Sequence, residues 1–273
     1  MNNTTNSSVT PAIRTTSVVR LDRDHPAGRQ GDDTVIIERP LSIEADGSVY
    51  TMLRTPGADR ELTVGFLFTE GLIATPNDIL ILAECPDAGD VMRVQTAGAA
   101  GDQPRRTLLI TSSCGLCGMA DIDALVAALD RVESPWRVPV ATLFGLPAAV
   151  RPRQPLFAAT GGAHAAAFVD AAGKVACVRE DVGRHNALDK LIGHALLHGI
   201  LMHDMGVFLS GRTSLEMIAK AARAGIPLVA AVGAPTSAAV EAAERIGVTL
   251  CGFLRDGRIS VYTHAWRIAK DEG

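Results

Sequence analysis

The sequence predicts a two-part protein of the α+β / α/β class: a strand-rich N-terminal domain followed by a three-layer αβα C-terminal domain. Three observations predict it. Up to Ile110, apolar runs of strand type dominate, with one helical stretch among them. Pro135, Pro139, Pro147, Pro152 and Pro155 then break the pattern, as a crossover between domains would. From Gly206 onward, short apolar runs alternate with helical stretches, the signature of a parallel sheet covered on both faces.

Taken in order, residues 1–33 lack apolar anchors and are expected to be a disordered tail. Residues 34–150 form the strand-rich domain and residues 151–273 the α/β domain that holds a ligand. Strands are expected at Thr34–Glu38, Leu41–Glu44 and Ser48–Leu53, with Asp46-Gly47 as a hairpin turn. Leu62, Phe66, Thr69 and Ile73 fall at helical spacing, and Gly65 is the weak point of that helix. Strand-like runs return at Val91–Val94 and Thr107–Ile110, and Met119, Ile122, Leu125, Val126 and Leu129 share one helical face. In the second domain, Ala165–Val169 and Lys174–Arg179 flank a turn, and Asn186–His198 reads as an amphipathic helix. Strands at Gly206–Leu209, Pro227–Val232 and Val248–Leu254 alternate with helices at Ser214–Ala224 and Ser237–Ile246. Asp256-Gly257 turns into a last strand at Arg258–Thr263.

Hydrophobic residues make up 47% and charged residues 21%, as in a globular protein with a sizeable core. The net charge of -4 and the lack of a basic run argue against a nucleic-acid binder. Met1–Val9 has no apolar core, so no signal peptide is expected, and no apolar run is long enough for a membrane span. Five scattered cysteines make no disulfide framework and suit a reducing cytoplasm. Cys85, Cys177 and Cys251 read as buried small hydrophobes.

The most informative stretch is Thr111-Ser-Ser-Cys-Gly-Leu-Cys-Gly118. It spaces Cys114 and Cys117 as Cys-x-x-Cys between an apolar run and a helical stretch. A helix start favours thiolate over thiol, through its unpaired N–H groups. Three uses compete. Zinc lacks a second ligand pair, and the deaminase order of His-x-Glu before Pro-Cys-x-x-Cys is absent. A thioredoxin-like couple is permitted by the spacing alone, though Gly115 and Gly118 loosen the turn. A persulfide carrier needs a thiolate on a hinged loop, which the two glycines supply.

Further candidates lie in the second half. Ser210-Gly-Arg-Thr-Ser214 and Gly233-Ala-Pro-Thr-Ser237 each follow a strand and open a helix, so each offers free N–H groups to an anion. Arg212 adds a forked donor suited to phosphate. Arg184, His185 and His164 sit in polar turns beside strands, whereas His194, His198 and His203 read as surface or helix-end residues. Phe253-Leu-Arg-Asp-Gly-Arg258 presents a ring and two arginines at the sheet end, which suits a base or a phosphate.

These segments carry a resemblance. The chain resembles the formate dehydrogenase accessory sulfurtransferases, the FdhD family, from about Glu38 to His264. It does so in Glu38-Arg-Pro-Leu-Ser-Ile43, Glu61-Leu-Thr-Val-Gly-Phe-Leu-Phe-Thr-Glu-Gly71, Ser112-Ser-Cys-Gly-Leu-Cys-Gly118 and Thr160-Gly-Gly-Ala-His164. It does so again in Glu180-Asp-Val-Gly-Arg-His-Asn-Ala-Leu-Asp-Lys190, Ser210-Gly-Arg-Thr-Ser214 and Tyr262-Thr-His264. The resemblance implies a sulfurtransferase that takes sulfur from a cysteine desulfurase. It implies delivery to the molybdenum (or tungsten) bis-molybdopterin guanine dinucleotide cofactor before formate dehydrogenase receives it. Cys114 would carry the persulfide and Cys117 would assist. The dinucleotide contacts would include Phe253, Leu254, Arg255, Asp256, Gly257 and Arg258. His164, Arg184, His185, Ser210, Arg212 and Thr213 are the further pocket residues expected beside them. The resemblance also implies a cytidine-deaminase-like C-terminal domain without zinc chemistry, and a homodimer.

Overall fold

The computed structural model describes residues 11–85, 89–98, 107–110, 122–255 and 257–269. Strands β1 (Ile13–Arg20) and β2 (Arg29–Ile36) form an antiparallel ribbon, paired from Ile13 with Ile36 to Arg20 with Arg29. This corrects the expected disordered tail over residues 13–33. The ribbon is built by backbone pairing, not by burial, and most of its side chains are exposed. A reading based on apolar anchors therefore passes over it.

The N-terminal sheet follows. Strands β3 (Arg39–Ala45) and β4 (Ser48–Arg54) form the expected hairpin, and Asp46 and Gly47 both have positive φ (47° and 84°). Both central residues of the tight turn that matches strand twist require this conformation. Helix α1 (Asp59–Thr69) leads to β5 (Ile79–Glu84), β6 (Val91–Thr96) and β7 (Thr107–Ile110). The strand order is β5-β6-β3-β4-β7. Leu41, Ile43 and Ala45 alternate inward on β3 and pack with Leu62, Phe66 and Leu67 of α1. The edge strand β5 was not expected. Its exposed Leu80 and Ile81 lack the alternation that marks a half-buried strand.

Helix α2 (Ile122–Ala127) falls within the helix expected from Met119 to Leu129, and the short strand β8 (Val138–Pro139) and helices α3 (Val140–Val150) and α4 (Pro155–Thr160) occupy the proline-rich stretch. So the stretch is folded, and α3 contains Pro147. Val138, Leu143, Leu146 and Val150 pack on the C-terminal sheet, which places the segment before residue 150 with the second domain rather than the first.

That sheet comprises β9 (His164–Val169), β10 (Val175–Asp181), β11 (Gly206–Leu209), β12 (Leu228–Ala231), β13 (Thr249–Arg255) and β14 (Arg258–Val261). Their order is β10-β9-β11-β12-β13-β14, with β11, β12 and β13 parallel and the remaining pairings antiparallel. A last short strand, β15 (Ile268–Ala269), pairs with β8. Helices α5 (Arg184–His198), α6 (Leu215–Arg223) and α7 (Ser237–Ile246) cover one face. Val207, Leu209, Val229 and Ala231 point to that side, while Phe208, Leu228 and Ala230 point to the α3 side. Burial on both faces is why these strands read as unbroken apolar runs.

The two sheets meet where α1 crosses α5. Gly65 and Gly193 lie at the crossing. A Cβ on Gly65 would stand 1.8 Å from the Asp189 carbonyl oxygen, and one on Gly193 would stand 1.8 Å from that of Glu61. Buried charges surround this contact. Lys220 Nζ lies 2.9 Å from Asp189 Oδ2 and 3.0 Å from Glu70 Oε1, and donates to Thr69 Oγ1 at 2.8 Å. Burial alone would discharge the ammonium, but Asp189 and Glu70 outweigh it and hold Lys220 protonated. Lys190 Nζ pairs with Asp181 Oδ2 at 2.7 Å and donates to the Thr55 carbonyl at 2.8 Å. His194 belongs here too. Its Nδ1 lies 3.0 Å from Glu61 Oε1, which also receives Arg179 Nη2 at 2.7 Å. It is an interface residue, in contrast to the surface position expected, while His198 at the helix end is exposed.

Gly65→Ala and Gly193→Ala should each destabilise the protein near the top of the ~1–3 kcal/mol range of overpacking, because backbone rather than a flexible side chain blocks the added methyl. Urea midpoints against wild type check this. Lys220→Met should cost about 3–5 kcal/mol by stranding Asp189 and Glu70, and the Lys220→Met/Asp189→Asn pair should recover part of the loss in the same measurement.

Candidate functional site

The parallel strands end in loops that are laced together. Ser210–Ser214 links β11 to α6, and residues 232–236 link β12 to α7. Gly233 N–H donates to the Gly211 carbonyl (3.1 Å), Thr213 N–H to that of Ala234 (3.2 Å) and Thr236 N–H to that of Thr213 (3.0 Å). Phe253 N–H donates to the Gly233 carbonyl at 3.1 Å, which joins β13 to the pair. A Cβ on Gly233 would stand 2.7 Å from the Gly211 oxygen, so only glycine permits this approach.

The loops enclose a cavity of about 390 Å³ lined by His164, Arg184, Ser210, Gly211, Arg212, Val232, Gly233 and Arg255. Each cation arrives by a different route. Arg184 opens α5, directly after the Gly183 cap. Asp181 fixes that cap, because its Oδ1 accepts from Gly183 N–H at 2.8 Å and from Asn186 Nδ2 at 3.0 Å. Arg212 projects from the first loop and is exposed. Arg255 follows an irregularity between Gly252 and Arg255 in the β13–β14 register, where Phe253 adopts φ 54°. Such bulges re-aim side chains.

Among the described residues, three arginines and no carboxylate line the cavity, so it suits an anion. Among the described residues, Arg184 Nε, Thr213 Oγ1 and Ser214 Oγ are buried without a hydrogen-bond partner. Buried polar atoms in this state fit a site completed by a ligand. Ser210 Oγ is already engaged. It accepts from Ala165 N–H at 2.8 Å and lies 3.4 Å from His164 Nδ1. Burial and then the Arg184 charge lower the pKa of His164, which keeps the ring neutral near pH 7.

The structure thus gathers His164, Arg184, Ser210, Arg212 and Arg255 around one space. Thr213 is fully buried beneath it. His185 follows Arg184 in the first turn of α5 but is not among the lining residues. Leu254 is fully buried in the core on the α3 side, so it packs the sheet rather than facing the cavity, a correction to its expected ligand contact. Phe253 is exposed beside the loops, and Gly257 and Arg258 lie on the turn and strand beyond, none of them lining the cavity. Asp256 lies outside the described residues, and so do Cys114 and Cys117, in the connection between β7 and α2. Gly211, Val232 and Gly233 were not expected to line the site individually. The signal for them was present as a glycine within two residues of an apolar strand end.

Cys85, Cys177 and Cys251 are all buried, as expected. Burial pushes the Cys251 thiol up to about 12 and also raises that of Cys177. Neither is disposed to react as a thiolate.

The fold and site define a class: a two-part α/β protein with an arginine-lined anion pocket at the carboxyl ends of its parallel strands. Residues 36–269 match the model of the FdhD/NarQ family. The chain is 43% identical over 251 residues to the sulfur carrier protein FdhD of Mycolicibacterium paratuberculosis, covering 86% of this chain and 92% of that one. It is 37% identical over 248 residues to that of Thermoplasma acidophilum, covering 88% of each chain. A crystal structure of a candidate formate dehydrogenase accessory protein from Desulfotalea psychrophila superposes with a TM-score of 0.79. It is 25% identical and covers 95% of this chain and 100% of its own. The chain belongs to the FdhD/NarQ family.

His164 should titrate below the ordinary imidazole value of about 6.5. The unfolded chain then takes up a proton that the folded chain refuses. Stability is full above that value and falls as pH drops through the folded pKa. NMR of the His164 ring should show the lowered pKa and an upward shift when phosphate is added. An unshifted ring in both conditions would place His164 away from the anion.

Proposed function

We propose that this chain is a sulfur carrier serving formate dehydrogenase, acting as a sulfurtransferase. It takes sulfur from a cysteine desulfurase as a persulfide on Cys114 and delivers it to the molybdenum bis-molybdopterin guanine dinucleotide cofactor, its client. The observation that carries this reading is the Cys114-x-x-Cys117 pair in a chain 43% identical to a sulfur carrier protein FdhD. The cavity supports it. A dinucleotide client brings diphosphate groups, and Arg184, Arg212 and Arg255 offer forked donors for them. Phe253, exposed beside the pocket, offers a ring for a guanine. The relatives, sulfur carrier proteins and a formate dehydrogenase accessory protein, point the same way.

The chemistry balances as follows. The Cys114 thiolate attacks the terminal sulfur of the donor's persulfide. The donor S–S bond breaks, its cysteine leaves as thiolate, and Cys114 holds the extra sulfur. Cys117 thiolate then attacks Cys114 Sγ and expels hydrosulfide toward the metal. A Cys114–Cys117 disulfide forms, so the thiol pair supplies the two electrons that reduce the sulfur. A cellular dithiol restores the pair.

The carrier is a homodimer, as the resemblance implies, in the reducing cytoplasm that the scattered cysteines suit. No described helix is long and apolar enough to cross a membrane. The reading also takes the C-terminal domain as cytidine-deaminase-like, on the order β10-β9-β11-β12-β13-β14 with three parallel strands.

Incubation with a desulfurase and cysteine, followed by peptide mass spectrometry, should add one sulfur to Cys114 and none to the buried Cys85, Cys177 or Cys251. Cys117→Ser should keep the adduct and lose delivery. Arg212→Ala/Arg255→Ala should keep the adduct while formate dehydrogenase activation falls at least tenfold. Activation that survives in Cys114→Ala would replace the carrier by a thiol-independent cofactor chaperone.

A further inference from the structure

A second cavity lies at the other end of β13. It measures about 660 Å³, and its lining includes Arg131, Glu133, Arg137, His264, Trp266 and Arg267. Gly247, just before β13, also lines it, whereas Arg255 at the far end of β13 lines the first pocket. A strand of this length separates the two by about 20 Å, so they are distinct sites.

Its charge is unbalanced. Arg267 is 1% exposed. Its donors reach the carbonyls of Ser134 (3.2 Å), Gly247 (2.7 Å) and Val132 (3.2 Å) and the Thr249 hydroxyl (3.2 Å), and it pairs with no carboxylate among the described residues. Neutral oxygens satisfy its hydrogen bonds and leave its charge uncompensated. Burial accordingly lowers its pKa. Arg131 and Arg137 are exposed at the same cavity, and no hydrogen bond or ion pair engages either among the described residues. Among the described residues, three guanidiniums and one carboxylate, Glu133, line the cavity. The half-buried His264 donates through its Nε2–H to the Glu244 carbonyl (3.0 Å), with the Glu244 carboxylate 3.8 Å away. This concentration of positive charge arises in a chain whose net charge is -4.

An aromatic surface completes the site. Trp266 is 49% exposed. The Arg267 guanidinium lies 4.3 Å from its ring and that of Arg137 5.8 Å. The indole is thus held in place by the cations that an anion would engage.

We propose that this cavity binds a phosphoryl anion, with Arg131 and Arg137 as its forked donors and Arg267 as a fixed charge behind them. The anion can be a free diphosphate or the diphosphate of a nucleotide, whose base would stack on Trp266. The shared chemistry is a compact, multiply charged oxyanion recognised by planar donors.

The test is calorimetric titration of pyrophosphate and of ADP into the Arg212→Ala/Arg255→Ala protein, which disables the first pocket. One site should remain for pyrophosphate. Adding Arg131→Ala/Arg137→Ala should weaken it at least tenfold without moving the urea midpoint, since both side chains are exposed. ADP binding tighter than pyrophosphate, with the excess lost in Trp266→Ala, identifies a nucleotide. Equal affinities identify the free anion. Absence of binding in the Arg212→Ala/Arg255→Ala protein, or binding indifferent to the loss of Arg131 and Arg137, would overturn the proposal.

Discussion

The contact of α1 with α5 at Gly65 and Gly193 is the constraint on which the rest of the molecule depends. Two helix backbones touch there with no side chain between them. This closeness brings Thr69, Glu70, Asp189 and Lys220 into one buried cluster. Such a cluster carries a large desolvation cost and offsets it only when every partner is present. It is therefore weak evidence of added stability and strong evidence of fixed register. If the helices slid by one turn, four polar groups would be stranded together.

The same contact links the two functional halves. Strand β4 pairs with β7, which leads into the segment bearing Cys114 and Cys117. The residues that end β4 reach across to the second domain. Thr55 N–H donates to Asp181 Oδ2, the Val182 N–H donates to Thr55 Oγ1, and Asn186 Nδ2 donates to the Leu53 carbonyl. Asp181 also fixes the start of α5, from which Arg184 enters the anion pocket. One short chain of hydrogen bonds thus joins the end of β4, which pairs with β7, to the turn that supplies a pocket arginine.

Much of the C-terminal fold is readable from one dimension. The runs at 206–209 and 237–246 coincide with β11 and α7, because uninterrupted apolar strands and amphipathic helices have distinct periods. The Asp46-Gly47 hairpin is as plain, since its turn chemistry is local. The ribbon β1–β2 and the helices of the proline-rich stretch are not readable. The ribbon is held by pairing that leaves no apolar pattern, and Pro147, an interior residue that local rules read as a helix breaker, is carried in α3 by the burial of Leu143, Leu146 and Val150 against the sheet. Likewise Gly65 reads as a defect in a helix, although its value lies in the neighbour it admits.

The sequence by itself determined the chemistry available: a spaced thiol pair, hydroxyl-rich and glycine-rich turns after strands, arginines near the chain's end, and membership in a family those segments mark. These are local facts, set by residue type and spacing. Only the tertiary structure decided which groups meet. It placed Arg184, Arg212 and Arg255 around one cavity, turned Leu254 into the core, moved His194 to the interface, and buried Arg267 against neutral backbone carbonyls. Each outcome depends on partners tens of residues away, and burial and Coulomb energy depend on distance in space, which the order of residues along a chain does not contain.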